Sequence, residues 1–185
     1  MTRAIDFVTE ARLSLLGAQW TPAQRHDLAL INLVDRLRQQ TGDVLLVGNG
    51  GLLAVAEHIA VDLWTQADVR ALAITSPVEI TAAANDYGFD ASLARPVERL
   101  ARQASLLIAL SASGRSPNVL EAVAAARRHG LGVVTFSAGA EDNPLRALGD
   151  LNCYVPAESV GVAQVVIHAL LHAVCEELST EKQVG

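Results

Sequence analysis

The segment LLIALSASGRSPN, residues 106–118, contains the transition that decides the fold. Its apolar beginning, Leu106–Leu110, is short and bounded by turn residues, which is typical of a buried strand, whereas the alanine-rich stretch Pro117–His129 favours a helix. The N–H groups at a helix start are free and carry the positive end of the helix dipole, so a hydroxyl-rich turn there predicts a site for a phosphate monoester. The alternative is that the serines only cap the helix. The turn holds three serines, Ser111, Ser113 and Ser116.

Length, charge and cysteine usage indicate one domain in a reducing cytosol. The chain has 185 residues, enough for one domain with a complete core. Its net charge is −6, and its lysines and arginines are scattered and not gathered in a patch. Both features disfavour nucleic acid as a direct ligand. We expect a cytoplasmic protein with no membrane partner, because neither a signal-like segment nor an uninterrupted membrane-length apolar run is present. Cys153 and Cys175 lack the spacing of a metal or redox motif and are interpreted as buried thiols.

The rest of the chain alternates strand-like and helix-like segments. This alternation predicts an α/β protein in which helices cover both faces of a parallel sheet, in one domain spanning residues 1–185. Two leading amphipathic helices, at 2–16 and 22–39, are expected to serve assembly through the region 1–40. The predicted strands are Asp43–Val47, Val69–Ile74, Leu106–Leu110, Gly132–Ser137 and Leu151–Val155. The predicted helices between and after them are Leu52–Trp64, Pro77–Ala84, Leu93–Arg102, Pro117–His129 and Val162–Leu178.

A second strand-to-helix turn is Gly48-Asn49-Gly50-Gly51. It lacks the GxGxxG spacing and the later acidic residue of a dinucleotide site, so no nucleotide cofactor is predicted. Its simplest interpretation is a tight turn that needs a positive φ. Ligands of parallel sheets bind at the carboxyl ends of the strands, so this turn and the serine-rich turn are expected at the same edge.

Polar side chains recur at helical spacing on two segments. His58 and Asp62 stand four residues apart, and Gln164, His168 and His172 repeat that spacing near the carboxyl end. The two sets could converge on a divalent metal through imidazole, carboxylate and amide groups. Alternatively, a carboxylate and an imidazole could shuttle protons without a metal. Each histidine could also be a satisfied structural residue, the only interpretation given to His26 and His129.

In order and spacing, these motifs together with Asn85-Asp86-Tyr87-Gly88 resemble the sugar isomerase (SIS) domain family, and more narrowly its phosphoheptose isomerase branch. The resemblance covers nearly the whole chain. It implies a three-layer, flavodoxin-like fold with a five-stranded parallel sheet and a leading helical pair. It also implies a homotetramer with active sites between subunits. The activity implied is aldose–ketose isomerisation of sedoheptulose 7-phosphate, or a related phosphorylated sugar, through an enediol(ate).

The resemblance also assigns roles to residues. It implies Asp62 as the catalytic base and His172 as the catalytic acid. Some family members bind zinc, one ion per site. The positions that would bind zinc are His58, Asp62, Gln164 and His172. The positions that would bind the sugar and its phosphate are Asn49, Gly50, Gly51, Asn85, Asp86, Ser111, Ser113 and Ser116.

The sequence departs from the family pattern at several of these places. Leu52 and Ala112 stand where the family usually has hydroxyl residues, and Asp62 is one methylene shorter than the usual glutamate. Val162-Ala163 replaces an acidic-basic pair. These changes favour either a different sugar phosphate or a non-catalytic sugar-phosphate sensor or protein-interaction module, similar to the family's replication-initiation regulator. The retained carboxylate and histidines favour the enzyme.

Overall fold

Five parallel strands and one antiparallel edge strand form the central sheet of the protein, whose computed structural model describes residues 3–180. The strand order across the sheet is β1-β6-β5-β4-β2-β3, and only β1 runs antiparallel to its neighbour. Strands β2, β4, β5 and β6 are largely buried, and the first three are rich in valine, leucine or isoleucine, as expected for strands covered on both faces. The strands are β1 Gln19–Thr21, β2 Asp43–Val47, β3 Ala71–Ala73, β4 Ala104–Ser111, β5 Gly132–Ser137 and β6 Leu151–Tyr154.

Within residues 3–180, seven α-helices lie in two layers, one on each face of this sheet. Helices α1, α2, α3 and α7 cover one face, where residues such as Leu33 and Ile59 join the core. Helices α4, α5 and α6 cover the other, around residues such as Val97 and Val123. The described helices are α1 Arg3–Leu16, α2 His26–Arg38, α3 Gly51–Ala67, α4 Pro77–Tyr87, α5 Ala94–Leu100, α6 Pro117–Arg128 and α7 Val160–Thr180. Two 3-10 turns complete the structure, at Phe89–Ala91 and Pro144–Ala147.

Helices α3 and α7 are the pair that matters most for the site. Each follows a strand of the parallel part of the sheet, so both begin at its carboxyl edge and run in the same direction. They pack directly against one another. In the described part of the chain, α7 alone is long and apolar enough to cross a membrane, but 44% of its apolar window is already buried inside the protein. Its apolar character is therefore weak evidence for a membrane and is that of a core helix.

The structure confirms the α/β class and the layer order but corrects the strand count and several boundaries. The stretch 19–21, which lies between the two predicted leading helices, is a sixth strand, because Trp20 is buried and pairs with Cys153 of β6. Helix α2 begins at His26 rather than Pro22. Helix α4 continues through Tyr87, so Asn85 and Asp86 lie on a helix and not in a turn. Residues 1–2 and 181–185, which the single-domain prediction includes, lie outside the described residues.

Candidate active site

The serine turn, residues 111–116, connects β4 to α6. Ser111 is buried, and its Oγ lies 3.1 Å from Oγ of Ser116. Ser116 occupies the position before α6, but its hydroxyl makes no capping hydrogen bond to that helix. Ser113 accepts a hydrogen bond of 3.2 Å from the N–H of Arg115. The capping-only alternative therefore does not describe Ser116, whose hydroxyl faces Ser111.

A buried asparagine fixes the shape of this turn. Gly114 has φ +62°, and a Cβ placed on it would lie 2.0 Å from Oδ1 of Asn143. The amide of Asn143 in turn donates to the carbonyls of Ala138 and Ala140, at 3.2 and 2.8 Å. The serine turn is thereby braced against the end of β5, a role for Asn143 that no local sequence pattern reveals.

A pair of asparagines joins the glycine turn, residues 48–51, to the serine turn. The side-chain amides of Asn49 and Asn118 exchange two hydrogen bonds of 2.9 Å each. Asn118 is 1% exposed, so this pairing satisfies amide groups that would otherwise be buried without partners. Gly50, with φ +54°, precedes the first residue of α3. Two helix N-termini, those of α3 and α6, are thus held at the same edge of the sheet.

A cavity of about 220 Å³ opens between the two turns and the start of α7. Leu52 is buried in its wall but leaves the cavity open. The side chain of Gln164 also borders it and packs on Gly51, since a Cβ at that glycine would lie 2.5 Å from Oε1 of the glutamine. The residues around the cavity are Asn49, Leu52, Leu110, Ser111, Ala112, Ser113, Ser116, Val160 and Gln164.

Further along α3 and α7, four polar side chains meet in what we call the histidine cluster: His58, Asp62, His168 and His172. Oδ2 of Asp62 lies 3.3 Å from Nε2 of His58 and 3.3 Å from Nδ1 of His172. The carboxylate side chain is 13% exposed, whereas the imidazoles of His58 and His172 are 53% and 39% exposed. The packing of α3 against α7 therefore brings together the two segments whose spacing suggested a site.

His168 is the member of the cluster to which the family resemblance gave no role. Its ring stacks on His172 with centroids 4.3 Å apart and meets His58 edge to face at 4.9 Å. Its Nε2 is buried without a hydrogen-bond partner among residues 3–180. Burial lowers the pKa of His168, neighbouring His172 and His58 lower it further, and Asp62 opposes them. The spacing 164, 168, 172 placed it among the residues that could converge on a metal, whereas the resemblance assigned only Gln164 and His172 on this helix.

Two predicted residues lie apart from these features. Asn85 and Asp86 are exposed on the last turn of α4, where the amide of Asn85 donates to Asp86 at 2.9 Å. Neither borders the cavity as the structure describes it. His26 accepts a hydrogen bond of 2.9 Å from the indole of Trp20, which agrees with its structural interpretation.

Comparisons with known proteins by sequence and by structure lead to the same family. The SIS domain model matches residues 17–138. Phosphoheptose isomerase of Bradyrhizobium sp. strain BTAi1 is 33% identical over 191 residues, covering 96% of each chain, and that of Roseiflexus sp. strain RS-1 is 36% identical over 155 residues, covering 80% of this chain and 78% of the relative.

Among solved structures, phosphoheptose isomerase GmhA of Neisseria gonorrhoeae superposes with a TM-score of 0.76 at 27% identity, covering 94% of this chain and 92% of that one. A phosphoheptose isomerase of Francisella tularensis, 24% identical, shares the fold with a TM-score of 0.81 and covers 97% of this chain and 100% of its own. The chain belongs to the SIS domain family.

Proposed function

We propose that this protein interconverts an aldose phosphate and a ketose phosphate, with sedoheptulose 7-phosphate or a related phosphorylated sugar as substrate. The observation that carries this proposal is the contact of Asp62 with His172 at 3.3 Å, on two helices that begin beside a hydroxyl-lined cavity. Relatives named phosphoheptose isomerase, at 33–36% identity over most of the chain, support it.

In this proposal the cavity holds the phosphate. Ser111, Ser113 and Ser116 supply hydroxyl groups, and the start of α6 supplies free N–H groups and the positive end of its dipole. Arg115, the one cation of the serine turn, is already paired with Asp142 at 2.7 Å, so hydroxyl and N–H groups dominate the site. Other sugar contacts are proposed for Asn49, Gly50, Gly51, Asn85 and Asp86.

The histidine cluster supplies the proton transfers. Asp62 removes the proton from the carbon next to the carbonyl group, and the electrons of that C–H bond form the enediol(ate). His172 gives a proton to the carbonyl oxygen; its Nδ1 faces Asp62, which leaves Nε2 for the substrate. Asp62 then returns the proton to the neighbouring carbon, and the other hydroxyl oxygen gives its proton back to His172 as it becomes the new carbonyl group, which completes the exchange of aldose and ketose. A carboxylate and an imidazole in contact are suited to these two roles, because one form of each is a base and the other an acid.

The distance between cavity and cluster favours an extended sugar. Gln164 borders the cavity and His172 belongs to the cluster, and eight helical residues rise roughly 12 Å along the axis. A substrate held by its phosphate in the cavity must cover much of this distance to place its carbonyl group at Asp62. Sugar phosphates of five to seven carbons have chains of suitable length, since each C–C bond adds at most about 1.5 Å.

A divalent ion such as zinc fits the cluster. Imidazole nitrogen and carboxylate oxygen are among its usual ligands, and a buried imidazole nitrogen here has no other partner within residues 3–180. His58 and His172 would hold the ion beside Asp62; because Nδ1 of His172 faces Asp62, its imidazole would then serve the ion instead of donating a proton to the substrate. A bound ion would supply stabilisation for negative charge that develops on the substrate oxygen.

Assembly into a homotetramer in the cytoplasm completes the proposal. Exposed apolar side chains support it: Ile5, Val8 and Leu13 on α1 and Trp64 on α3 are each more than half exposed. Such residues commonly mark surfaces that pack against another chain. A second subunit would also shield the half-exposed His58 and bring further groups to the site.

Turnover of a panel of sugar phosphates tests the function. The purified protein is assayed with phosphorylated aldoses and ketoses of five to seven carbons, with and without added zinc, by detection of the isomerised product. The proposal expects isomerisation of at least one member, with sedoheptulose 7-phosphate or a close relative preferred. Thermal stabilisation by these compounds without any turnover would overturn the enzyme and indicate the sugar-phosphate sensor instead.

A further inference from the structure

We propose that His168, rather than Gln164, is the third side chain that binds a divalent cation with His58 and His172. The inference rests on the cluster of the proposed function, but it concerns metal binding and does not require turnover. It assigns a role to a residue that the family resemblance leaves without one.

The geometry of the three histidines supports this assignment. One candidate ligand nitrogen from each of His58, His168 and His172 can be chosen so that all three lie within 4.8 Å of one another. Zn–N bonds of about 2.0–2.1 Å in a tetrahedral site place ligand nitrogens roughly 3.4 Å apart, so small side-chain rotations suffice. The three rings come from two packed helices and are already in mutual contact.

Within residues 3–180, Nε2 of His168 lacks the hydrogen-bond partner that a structural histidine would have. Its Nε2 is buried and unpaired among the described residues, which costs free energy unless a ligand satisfies it. Its ring contacts two further imidazoles, those of His58 and His172, and an imidazole can accept a proton or bind a metal. By contrast, His26 is paired with Trp20 at 2.9 Å and needs no ligand.

Gln164 is engaged elsewhere. Its amide lies against the backbone of Gly51 at the start of α3, where a single added Cβ would come within 2.5–2.6 Å of three side-chain atoms of the glutamine. It also forms part of the cavity wall next to the serine turn. His168 is one helical turn further along α7, about 6 Å nearer to His172 along the axis. The packed position of Gln164 thus suits contact with a substrate, and His168 suits the metal.

The chemistry of the donors agrees with the geometry. Imidazole is a stronger ligand for zinc and similar transition ions than a neutral amide oxygen, which suits hard cations. Three histidines also leave one position of a four-coordinate ion open. Asp62, 3.3 Å from two of the three rings, can orient them through hydrogen bonds while it remains available as a base.

Zinc affinity of matched variants tests the proposal. The metal-free protein is titrated with Zn²⁺ against a chromophoric chelator, without sugar, as wild type, His168→Gln, Gln164→Leu and His129→Gln. We expect His168→Gln to weaken zinc binding by more than about tenfold, because even residues behind metal ligands change affinity by about 10–100-fold. Gln164→Leu and the exposed control His129→Gln should bind within about threefold of wild type.

A spectroscopic readout protects the test against a folding defect. Co²⁺ is added to each variant, circular dichroism verifies the helix content, and the visible absorption band reports the coordination of cobalt. Loss or a shift of the band in His168→Gln or His168→Asn, with an unchanged band in Gln164→Leu, is the expected result. The inference would be overturned if Gln164→Leu changed zinc affinity and the cobalt spectrum as much as His168→Gln does, or more. It would also be overturned if the wild type bound no zinc. Zinc binding through His168 without isomerisation of any sugar would refute the proposed function alone.

Discussion

The serine turn and the histidine cluster lie on the same side of the protein but are built by opposite means. In the turn, backbone conformation and buried hydrogen bonds fix the groups: Gly114 is locked against Asn143, and Asn118 is paired with Asn49. In the cluster, the side chains are partly exposed, and Nε2 of His168 has no partner in the described chain. A turn of this kind is complete before its ligand arrives, whereas the cluster gains its full set of contacts only with a ligand, a metal or a neighbouring subunit.

This contrast separates binding from chemistry. If the serine turn binds phosphate as proposed, its preformed geometry means that little conformational entropy is lost on binding. A cluster of imidazoles around one carboxylate gives groups that can change protonation or ligation during the reaction. Changes in the turn should therefore alter stability and phosphate affinity, and changes in the cluster should alter turnover and metal binding.

Replacing the cluster carboxylate should have the largest effect. Asp62→Asn keeps the size of the side chain but removes the base, so turnover should fall by about 100- to 10,000-fold, the range typical of a general base. Binding of sugar phosphate, followed by calorimetry, should change much less, because the cavity is untouched. The measurements are kcat and the dissociation constant for the best substrate of the panel.

Glu57→Gln provides the matched control for that variant. Glu57 is an exposed carboxylate on the same helix, five residues before Asp62. Its replacement should leave kcat within about twofold of wild type. Equal losses in the two variants would mean that Asp62 acts through general charge and not as the base.

Gly114→Ala should have the next largest effect, now on stability. A non-glycine residue at φ +62° costs roughly 1–2 kcal/mol, and the new Cβ would also displace Asn143 and its hydrogen bonds, which adds about 1–3 kcal/mol. Urea unfolding measures the change in the free energy of unfolding. Calorimetry with inorganic phosphate should show weaker binding, because the serine turn moves.

Gly130→Ala separates the two contributions. Gly130 has φ +76°, but a Cβ there would meet no atom within 4 Å, so only the conformational cost of roughly 1–2 kcal/mol applies. Phosphate affinity should be unchanged. If the two alanine variants were equally stable, the brace by Asn143 would contribute nothing.

The difference between the regions also explains what the sequence could predict. The glycine turn and the serine turn are local signals, in which residues adjacent along the chain specify one strand-to-helix connection, and both were found at strand ends. The braces by Asn143 and Asn118 depend on packing between distant segments, so only the structure reveals them. The same holds for β1, three residues long, which is a strand because Trp20 enters the core.

The cluster was half predictable for the same reason. Helical spacing placed His58 with Asp62 on one helix, and Gln164, His168 and His172 on another. Spacing alone could not decide which of the three residues on α7 would contact α3, or which residue of α3 each would meet. The relative position of two packed helices decides that Gln164 meets Gly51 while His168 meets His58.

Loss of the Asn49–Asn118 pair that joins the two turns should have a smaller but measurable effect on stability. Asn118→Ala leaves the amide of Asn49 without its partner, which should destabilise the protein by about 1–3 kcal/mol. Combined with Asn49→Ala, the loss should be less than the sum of the single losses, with a coupling energy of about 0.5–3 kcal/mol by urea unfolding. Strict additivity would show that the turns are held independently.

Removal of the ion pairs of Glu98 should have the smallest effect on stability. It tests how much these ion pairs stabilise the helix that follows the serine turn. Glu98 on α5 contacts Arg128 of α6 at 2.9 Å and Arg95 at 2.8 Å. It therefore links α5 to α6, the helix that follows the serine turn.

The Arg128 guanidinium, and after it Arg95, lowers the pKa of Glu98 against the opposing effect of burial. Because the carboxyl is more acidic in the folded than in the unfolded chain, its stabilisation is present above about pH 4.5, its ordinary pKa, and is lost as the pH falls through the lower folded value. Glu98→Gln should cost roughly 0.2–1 kcal/mol at pH 7, as exposed ion pairs do, and the gap from wild type should close as the pH falls below about 4.5 and the carboxyl becomes protonated. Urea unfolding across this range measures it, with Glu121→Gln on the exposed face of α6 as the control that should show no such gap. A gap that persisted at pH 3 would trace the stabilisation to packing of the glutamate side chain and not to its charge.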